Sequence, residues 1–594
     1  MRLTRRSDEL LEARSSTLAG GPLRLPVEAP GPTTLLGDLL LERRAVTPRQ
    51  LTEALLQQDV SGKRIGMLLV ELGALAEETL TAVLAEQLDL PVVDLREATS
   101  HDDALAVLPE TIARSHQAIP LWFTDGSLVI AVAEPSPELS RLLAAACGSP
   151  VSLVLTPGRD IRRAIDASYR ALTAVTRQVQ AFQATDTLRQ AASGLRTQAR
   201  GEAEDDAPVV QIVNLLITQG LRDGASDVHI EPQDERVRVR YRVDGALHDV
   251  LALPVTMGPA LSSRIKIMAG LNIVERRKAQ DGQIALDVEG RSVDIRVSTS
   301  ATISGEKVVL RLLDKSRSLL RLTDLGMTPA TVSTYGQLIR APFGMVVCAG
   351  PTGSGKTTTL YASLTDINSP DRNITTIEDP VEYVFPSINQ IQVNDQVGVD
   401  FAQALRTTMR QDPDIILVGE IRDPETARIA VQAALTGHLV LSSLHATDAV
   451  SALYRLLDMG VEDFLVASSI SGVVAQRLVR KICDRCREPY KPTPEQLAFY
   501  KTIGGTTLRS GFWEGVGCNF CNHTGYSGRQ GVYELLRVTP EMRELIVAQP
   551  TSAALRALAT EQGMRSLRQE AIRLITSETT SIAEVLRSIY VLGA

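Results

Sequence analysis

Leucines at helical spacing fill two successive stretches, LGDLLLERRAVTPRQLTEALLQQ and IGMLLVELGALAEETLTAVLAEQ, and each reads as a short helix, a turn and a second helix. The stretches are copies of one unit, because Gly37, Leu40, Leu51, Leu55 and Gln58 recur 29 positions later as Gly66, Leu69, Leu80, Leu84 and Gln87. From Leu90 to about residue 170 the pattern changes to short apolar runs, LPVVDL, AIPLWF and SLVIAVA, which predict strands. The helical stretches PELSRLLAAAC and RDIRRAIDASYRAL interrupt them. Residues 171–207 lose the strand signal and end in the acidic GEAEDDAP, which suits a linker.

After Pro208 a helix, VVQIVNLLITQGLRDG, precedes the alternating strands SDVHIEP, RVRVRYRVDG, QIALDVEG, RSVDIRVSTS and EKVVLRLLD. Beyond about Leu325 the strands MVVCAG, NITTIED, DIILVGEI and HLVLSSLH are each followed by an amphipathic stretch, which predicts a parallel sheet covered on both faces. The expected organisation is α/β and multidomain: 1–30 disordered, 31–90 a helical repeat, 91–170 a small α/β part, 171–207 a linker. A second α/β domain over 208–325 and a larger one over 326–594 complete it.

The chain has 594 residues, too many for one core. Its 44% apolar and 22% charged composition is that of globular proteins, and no run reaches the roughly 18 apolar residues a membrane span needs. The amino end has no apolar h-region behind its basic residues, which points to a cytoplasmic location. A formal net charge of -8 argues against a partner that is a nucleic-acid polymer.

The chemistry begins at GPTGSGKTTT, which follows the apolar MVVCA. Gly350, Gly355, Lys356 and Thr357 fit the phosphate-loop pattern GxxxxGK[ST], with a strand before and a helix after. Across Gly350, Pro351, Thr352, Gly353, Ser354, Gly355 and on to Thr358, backbone amides can turn toward phosphates. Lys356 reaches the outer phosphates and Thr357 offers a hydroxyl to Mg²⁺, so the loop is expected to hold a polyphosphate. Downstream, DPDIILVGEIRD sets Glu420 just past an apolar strand, where an acid is costly unless it serves a cation or water, and it is assigned the general base.

Between these motifs, ITTIEDPVEY crowds Glu378, Asp379 and Glu382 at one strand end, an arrangement that a cation would relieve. His438 and His445 bracket the strand in TGHLVLSSLHATDA, and His445 lies at its carboxyl end, where ligands of open sheets gather. Several arginines could supply added positive charge: Arg296 and Arg311 interrupt apolar strands, Arg406 and Arg410 are one helical turn apart, Arg422 follows Glu420, and Arg529 lies in GYSGRQG.

Cys483 and Cys486 (KICDRCREPY) with Cys518 and Cys521 (GVGCNFCNHTGY) form two CxxC pairs, the signature of a tetrahedral, structural Zn²⁺ site in an insert over 483–521. His523 is a competing ligand, and a zinc ribbon that reads DNA is the alternative. Cys147 and Cys348 sit alone in apolar contexts and read as buried side chains.

Taken together, the phosphate loop, ITTIEDPVEY, LVGEIRD, TGHLVLSSLHATDA and the four cysteines resemble the PilB/GspE family of type IV pilus assembly and type II secretion ATPases. The resemblance covers residues 30–594. It implies a hexameric cytoplasmic motor with a RecA-like carboxyl domain, a PAS-like N2 domain before it, and peripheral attachment to an inner-membrane platform protein and a cytoplasmic adaptor. It also implies that Glu420 is the catalytic glutamate, that Glu378, Asp379 and Glu382 lie in the family's Asp box and His438 and His445 in its His box, and that Arg296, Arg311, Arg406, Arg410, Arg422 and Arg529 lie near nucleotide.

The 29-residue repeat looks like an MshEN domain, which in some relatives binds cyclic di-GMP through paired RLGxxLxxxG motifs. The second copy keeps Arg64, Gly66 and Gly73, whereas the first has Leu35 in place of the arginine and Arg44 in place of the second glycine. Cyclic di-GMP at residues 35–87 and a docking module for an adaptor both remain open. So do two rival functions, a nucleotide- and cyclic di-GMP-gated scaffold with little turnover and a DNA-translocating ATPase.

Overall fold

The computed structural model describes residues 35–61, 64–169, 208–314, 320–506, 511–549 and 551–589, together with positions 175, 178, 179 and 182. The expected disordered segment 1–30 and nearly all of the linker 171–207 lie outside the described residues. The chain divides into two compact units, Met1–Ala174 with Gly517–His523, and Val175–Val516 with Thr524–Ala594.

The helical repeat holds in the first unit. Helices Leu36–Glu42 and Pro48–Ser61 are followed, at the same 29-residue offset, by helices that start at Ile65 and Glu77. Equivalent positions fill one small core: Leu40 and Leu69, Val46 and Leu75, Ala54 and Val83 are all buried in it. The turn between the helices needs a left-handed residue. Gly73 supplies it in the second copy (φ 67°), and Arg44 adopts the same conformation in the first (φ 52°) despite its Cβ. The α/β part that follows carries β1 (Ala118–Thr124), β2 (Ser127–Val132) and β3 (Val151–Leu155) in one sheet of that order. The run LPVVDL, expected as a strand, contributes only an isolated bridge from Val92 to Leu155, and the third strand comes instead from VSLVL.

In the second unit, helix Pro208–Arg222 buries an apolar face beside a six-stranded antiparallel sheet. Its strands are β4 (Asp227–Pro232), β5 (Arg236–Val243), β6 (Ala246–Pro254), β7 (Gln280–Val288), β8 (Arg291–Thr302) and β9 (Gly305–Asp314), in the order β6-β5-β4-β9-β8-β7. Strand β6 and the helix Gly258–Met268 have no counterpart in the sequence reading. The run ALHDVLALP does not alternate cleanly, because six of its nine positions lie between buried and exposed.

The third sheet contains β10 (Gly344–Ala349), β11 (Ile374–Glu378), β12 (Asn389–Gln392), β13 (Ile415–Val418), β14 (Leu439–Leu444), β15 (Ile470–Ile482) and β18 (Tyr526–Arg537). A separate two-stranded antiparallel sheet pairs β16 (Arg487–Tyr490) with β17 (Phe512–Gly515). The order is β12-β11-β13-β14-β10-β15-β18, parallel throughout except for the antiparallel edge pair β15–β18. All residues of β10, β11, β13 and β14 are buried, as expected of strands covered by helices on both faces. Side-chain caps start the covering helices: Asp423 accepts from Thr426 N at 2.8 Å and Asp400 from Gln403 N at 2.7 Å.

Candidate nucleotide-binding site

Four neighbouring strands, β11, β13, β14 and β10, deliver Glu378, Glu420, His445 and the phosphate loop to one edge of the sheet, their shared carboxyl end. Helix Lys356–Ile367 leaves this edge from Gly355, whose φ of 90° turns the chain into it. No side chain caps that helix, unlike the helices that start after Asp423 and Asp400. Its first amides therefore point toward the position a phosphate would take. The Lys356 ammonium donates to Gly350 O at 3.0 Å and Pro351 O at 3.1 Å, so it spans the loop it would open for a phosphate. Burial lowers its pKa; Cys348 and Glu420 oppose the shift and Arg477 adds to it. The Ser354 hydroxyl is buried with no hydrogen-bond partner. Thr357 is half-buried beside Lys356, and Thr358, Pro351, Thr352 and Gly353 are exposed.

Glu420 leaves the sheet just past β13, where Ser443 Oγ donates to Gly419 O at 2.8 Å and Ile421 N to Ser443 O at 3.0 Å. These bonds tie the turn to β14. The carboxylate lies 3.3 Å from His445 Nε2 and also contacts Arg422, whose other nitrogen is 3.7 Å from Asp379. Glu378 is in a different state. Its buried carboxylate accepts from Tyr361 OH, from Thr376 Oγ1 at 2.6 Å and from Gln390 Nε2 at 3.1 Å. Three neutral donors thus occupy it, and this geometry orients the strand end more than it offers an open metal ligand.

A row of side chains crosses the six-stranded sheet in register: Arg242, Asp227, Arg311, Arg296 and Gln283. Asp227 accepts from Arg311 Nε at 3.0 Å and lies 3.6 Å from Arg242 Nε. Arg296 stands directly opposite Arg311, a like-charged pair that favours an anion between them. Both line a cavity of ≈ 620 Å³ together with Asp227, Asp281, Gln283 and Pro380, so this face meets the acidic stretch 379–382. Burial raises the pKa of Glu382, against the pull of Arg296 and Arg311. Among the described contacts, none joins these two arginines to residues 350–358.

The remaining expected residues scatter. His438 precedes β14, and its carbonyl accepts from Gly344 N at the start of β10, so it lies at the amino edge of the sheet. A six-residue strand, roughly 20 Å long, separates it from His445, and within one subunit it does not reach the phosphate loop. Its ring bonds to Ala433 O at 2.9 Å. Arg406 pairs with Glu425, Arg410 is exposed, and Arg529 lies 3.3 Å from Asp244, which also accepts from Gly528 N. Sequence reasoning missed Asp227, Tyr361 and Gln476. Only Gln476 carried a legible signal, as a lone amide in the apolar run ISGVVAQRLV.

The four Sγ atoms of Cys483, Cys486, Cys518 and Cys521 lie within 4.8 Å of one another, all in buried residues. Cys518 Sγ and Cys521 Sγ are 3.8 Å apart, the spacing of about 3.8 Å that tetrahedral ligands 2.3 Å from Zn²⁺ would have. His523 takes a left-handed conformation (φ 57°) just after this turn and is not one of the clustered ligands. In the repeat, Arg64 lies 3.2 Å from Glu134, and the equivalent Leu35 is 73% exposed. No described helix is long and apolar enough to cross a membrane.

Compared with known proteins, residues 202–587 match the family described as Type II/IV secretion system protein. The chain belongs to that family. Residues 88–175 match the MshEN domain, so this match covers the α/β part, with most of the helical repeat ahead of it. Over 562 residues the chain is 40% identical to the type IV pilus assembly ATPase PilB of Myxococcus xanthus, covering 93% of this chain and 98% of that one. It is 39% identical over 566 residues to the type II secretion system protein E of Xanthomonas campestris, with the same coverage. The type II secretion system protein HxcR of Pseudomonas aeruginosa is 53% identical over 386 residues, 65% of this chain and 78% of that one. Membership in the type II/IV secretion family accords with the multidomain α/β fold and the phosphate-loop sheet.

Proposed function

We propose that this chain is a Mg²⁺-dependent ATPase that powers type IV pilus assembly or type II secretion. The observation that carries this reading is the convergence at one sheet edge of an uncapped phosphate-loop helix, Lys356, and a carboxylate, Glu420, beside His445. The loop amides and Lys356 hold the phosphates of ATP. Glu420 takes the proton of the attacking water, and His445 orients Glu420 and senses the outer phosphate. Thr357 would hold Mg²⁺, which shields charge developing on the phosphates. With Glu378 held by three donors, its role in this reading is to fix the strand end, leaving Asp379 exposed and Glu382 partly buried toward Arg296 and Arg311.

Arg296 and Arg311 supply positive charge from the six-stranded domain when it closes on nucleotide, and Arg422 does so from beside the base. Arg406, Arg410, Arg529 and His438 act where a neighbouring subunit of a hexamer completes the site. Work arises from rotation of the 208–325 domain against the 326–594 domain, and it passes to an inner-membrane platform protein and a cytoplasmic adaptor. Zn²⁺ on the four cysteines holds the insert, with no open position for catalysis. Cyclic di-GMP at residues 35–87 would have to displace Glu134 from Arg64. Calorimetric titration of the dinucleotide decides between that ligand and adaptor docking by the same module.

Steady-state phosphate release by the purified full chain, with and without platform protein in vesicles, tests the motor. Turnover that Lys356→Ala abolishes supports it; ATP binding without turnover in either setting favours the gated scaffold instead.

A further inference from the structure

Strand β15 borders β10, and its last register pair with that strand is Ala349 with Ala475. The next residue, Gln476, therefore lies alongside the start of the phosphate loop. It is 1% exposed, and its amide bonds to that loop and its flanks. Nε2 donates to Ser354 O at 2.8 Å. Oε1 accepts from Thr359 Oγ1, in the first turn of the loop's helix, at 2.8 Å, and from Cys348 Sγ, on β10, at 3.1 Å. The main chain adds a steric limit, since a Cβ on Gly350 would meet Gln476 O at 2.8 Å. Strand before, loop, and helix after are thus tied to one side chain that belongs to none of them.

We propose that Gln476 is a positioning residue that holds the phosphate loop in its nucleotide-ready shape, by donating to Ser354 and accepting from Thr359 and Cys348. The physical case rests on complementarity. Two donors face Oε1 and one carbonyl faces Nε2, so only a neutral amide in this orientation satisfies all three. A carboxylate would set an anionic oxygen against Ser354 O in a buried site, and an apolar side chain would leave the Ser354 carbonyl without its donor. Ser354 is followed by Gly355 and Lys356, so a shift of this carbonyl moves the amides meant for phosphate. The inference rests on the reading of residues 350–358 as an ATP site.

The test compares the wild-type full chain with Gln476→Met, which keeps volume without hydrogen bonds, Gln476→Glu, and Thr359→Val. Each is measured for KM and kcat in ATP hydrolysis, for ADP affinity by calorimetry, and for thermal midpoint with and without ADP. Positioning predicts that Gln476→Met raises KM and weakens ADP about tenfold, the equivalent of one buried hydrogen bond. It also predicts a smaller change in kcat, loss of most of the ADP-induced rise in midpoint, and a larger defect for Gln476→Glu. A lowered ligand-free midpoint with unchanged KM and ADP affinity would make Gln476 a core residue only and overturn the proposal. Should Gln476→Met not fold, Thr359→Val decides: weakened ADP binding sustains the proposal and wild-type affinity overturns it. Failure of the wild type to hydrolyse ATP sinks the ATPase reading, whereas an active wild type matched by Gln476→Met sinks this inference alone.

Discussion

His445 Nε2 lies 3.3 Å from Glu420 Oε2, and the two residues leave the sheet just past the carboxyl ends of adjacent parallel strands. The pairing explains how an acid past a buried strand is held in place: it is only partly buried and its oxygens lie between an imidazole and the Arg422 guanidinium. Glu420→Gln should lower steady-state phosphate release by about 10²–10⁴-fold while ATP binding persists. His445→Ala should cost less, because it removes an orienting partner and leaves the base. Calorimetric affinity beside phosphate release checks both, and a Glu420→Gln rate within threefold of wild type would remove Glu420 from the mechanism.

Arg296 and Arg311 face each other across neighbouring strands, and Asp227 accepts from Arg311. Arg296→Met and Arg311→Met should each lower kcat about tenfold or more, with little change in thermal midpoint, since both side chains border a cavity and not the core. The opposite pattern, a lowered midpoint with an intact rate, would mark them as structural ion-pair partners.

The cysteine cluster predicts about one equivalent of zinc per chain by elemental analysis. Cys486→Ser combined with Cys521→Ser should remove the metal and lower the thermal midpoint. A metal-free wild type that melts at the same temperature after reduction would show that the four thiols stand together without an ion.

Glu584 predicts a pH dependence. Burial alone would raise its pKa, but donation from Arg587 and Arg480 brings it down to about 2, below the ordinary 4.5. The folded state therefore prefers the ionised form. The resulting stability is present above about pH 4.5 and is lost as pH falls toward 2. The gap in thermal midpoint between wild type and Glu584→Gln should be full near neutral pH and shrink on acidification. A gap that stays constant down to about pH 3 would assign the stability to packing.

The order of elements was legible in the sequence because it depends on local signals. The 29-residue offset, the four apolar strands of the large domain and the motifs at their ends all depend on spacing along the chain. Three strands of the large sheet escaped notice for the same reason. Strand β12 is short and largely polar, and β15 and β18 form an antiparallel edge that no βα alternation announces.

By itself the sequence determined which residue types exist to bind phosphate, abstract a proton and hold a metal, because glycine, lysine, carboxylate and thiol at fixed intervals are properties of the chain. Only the tertiary structure decided which of them meet. Strand order set Glu420 beside His445 and sent His438 to the far edge, hydrogen bonds filled Glu378, and a strand more than a hundred residues downstream brought Gln476 to the loop. Side-chain chemistry is fixed by composition, whereas the distance between two groups on separate strands is fixed by pairing and register, which are properties of the whole fold.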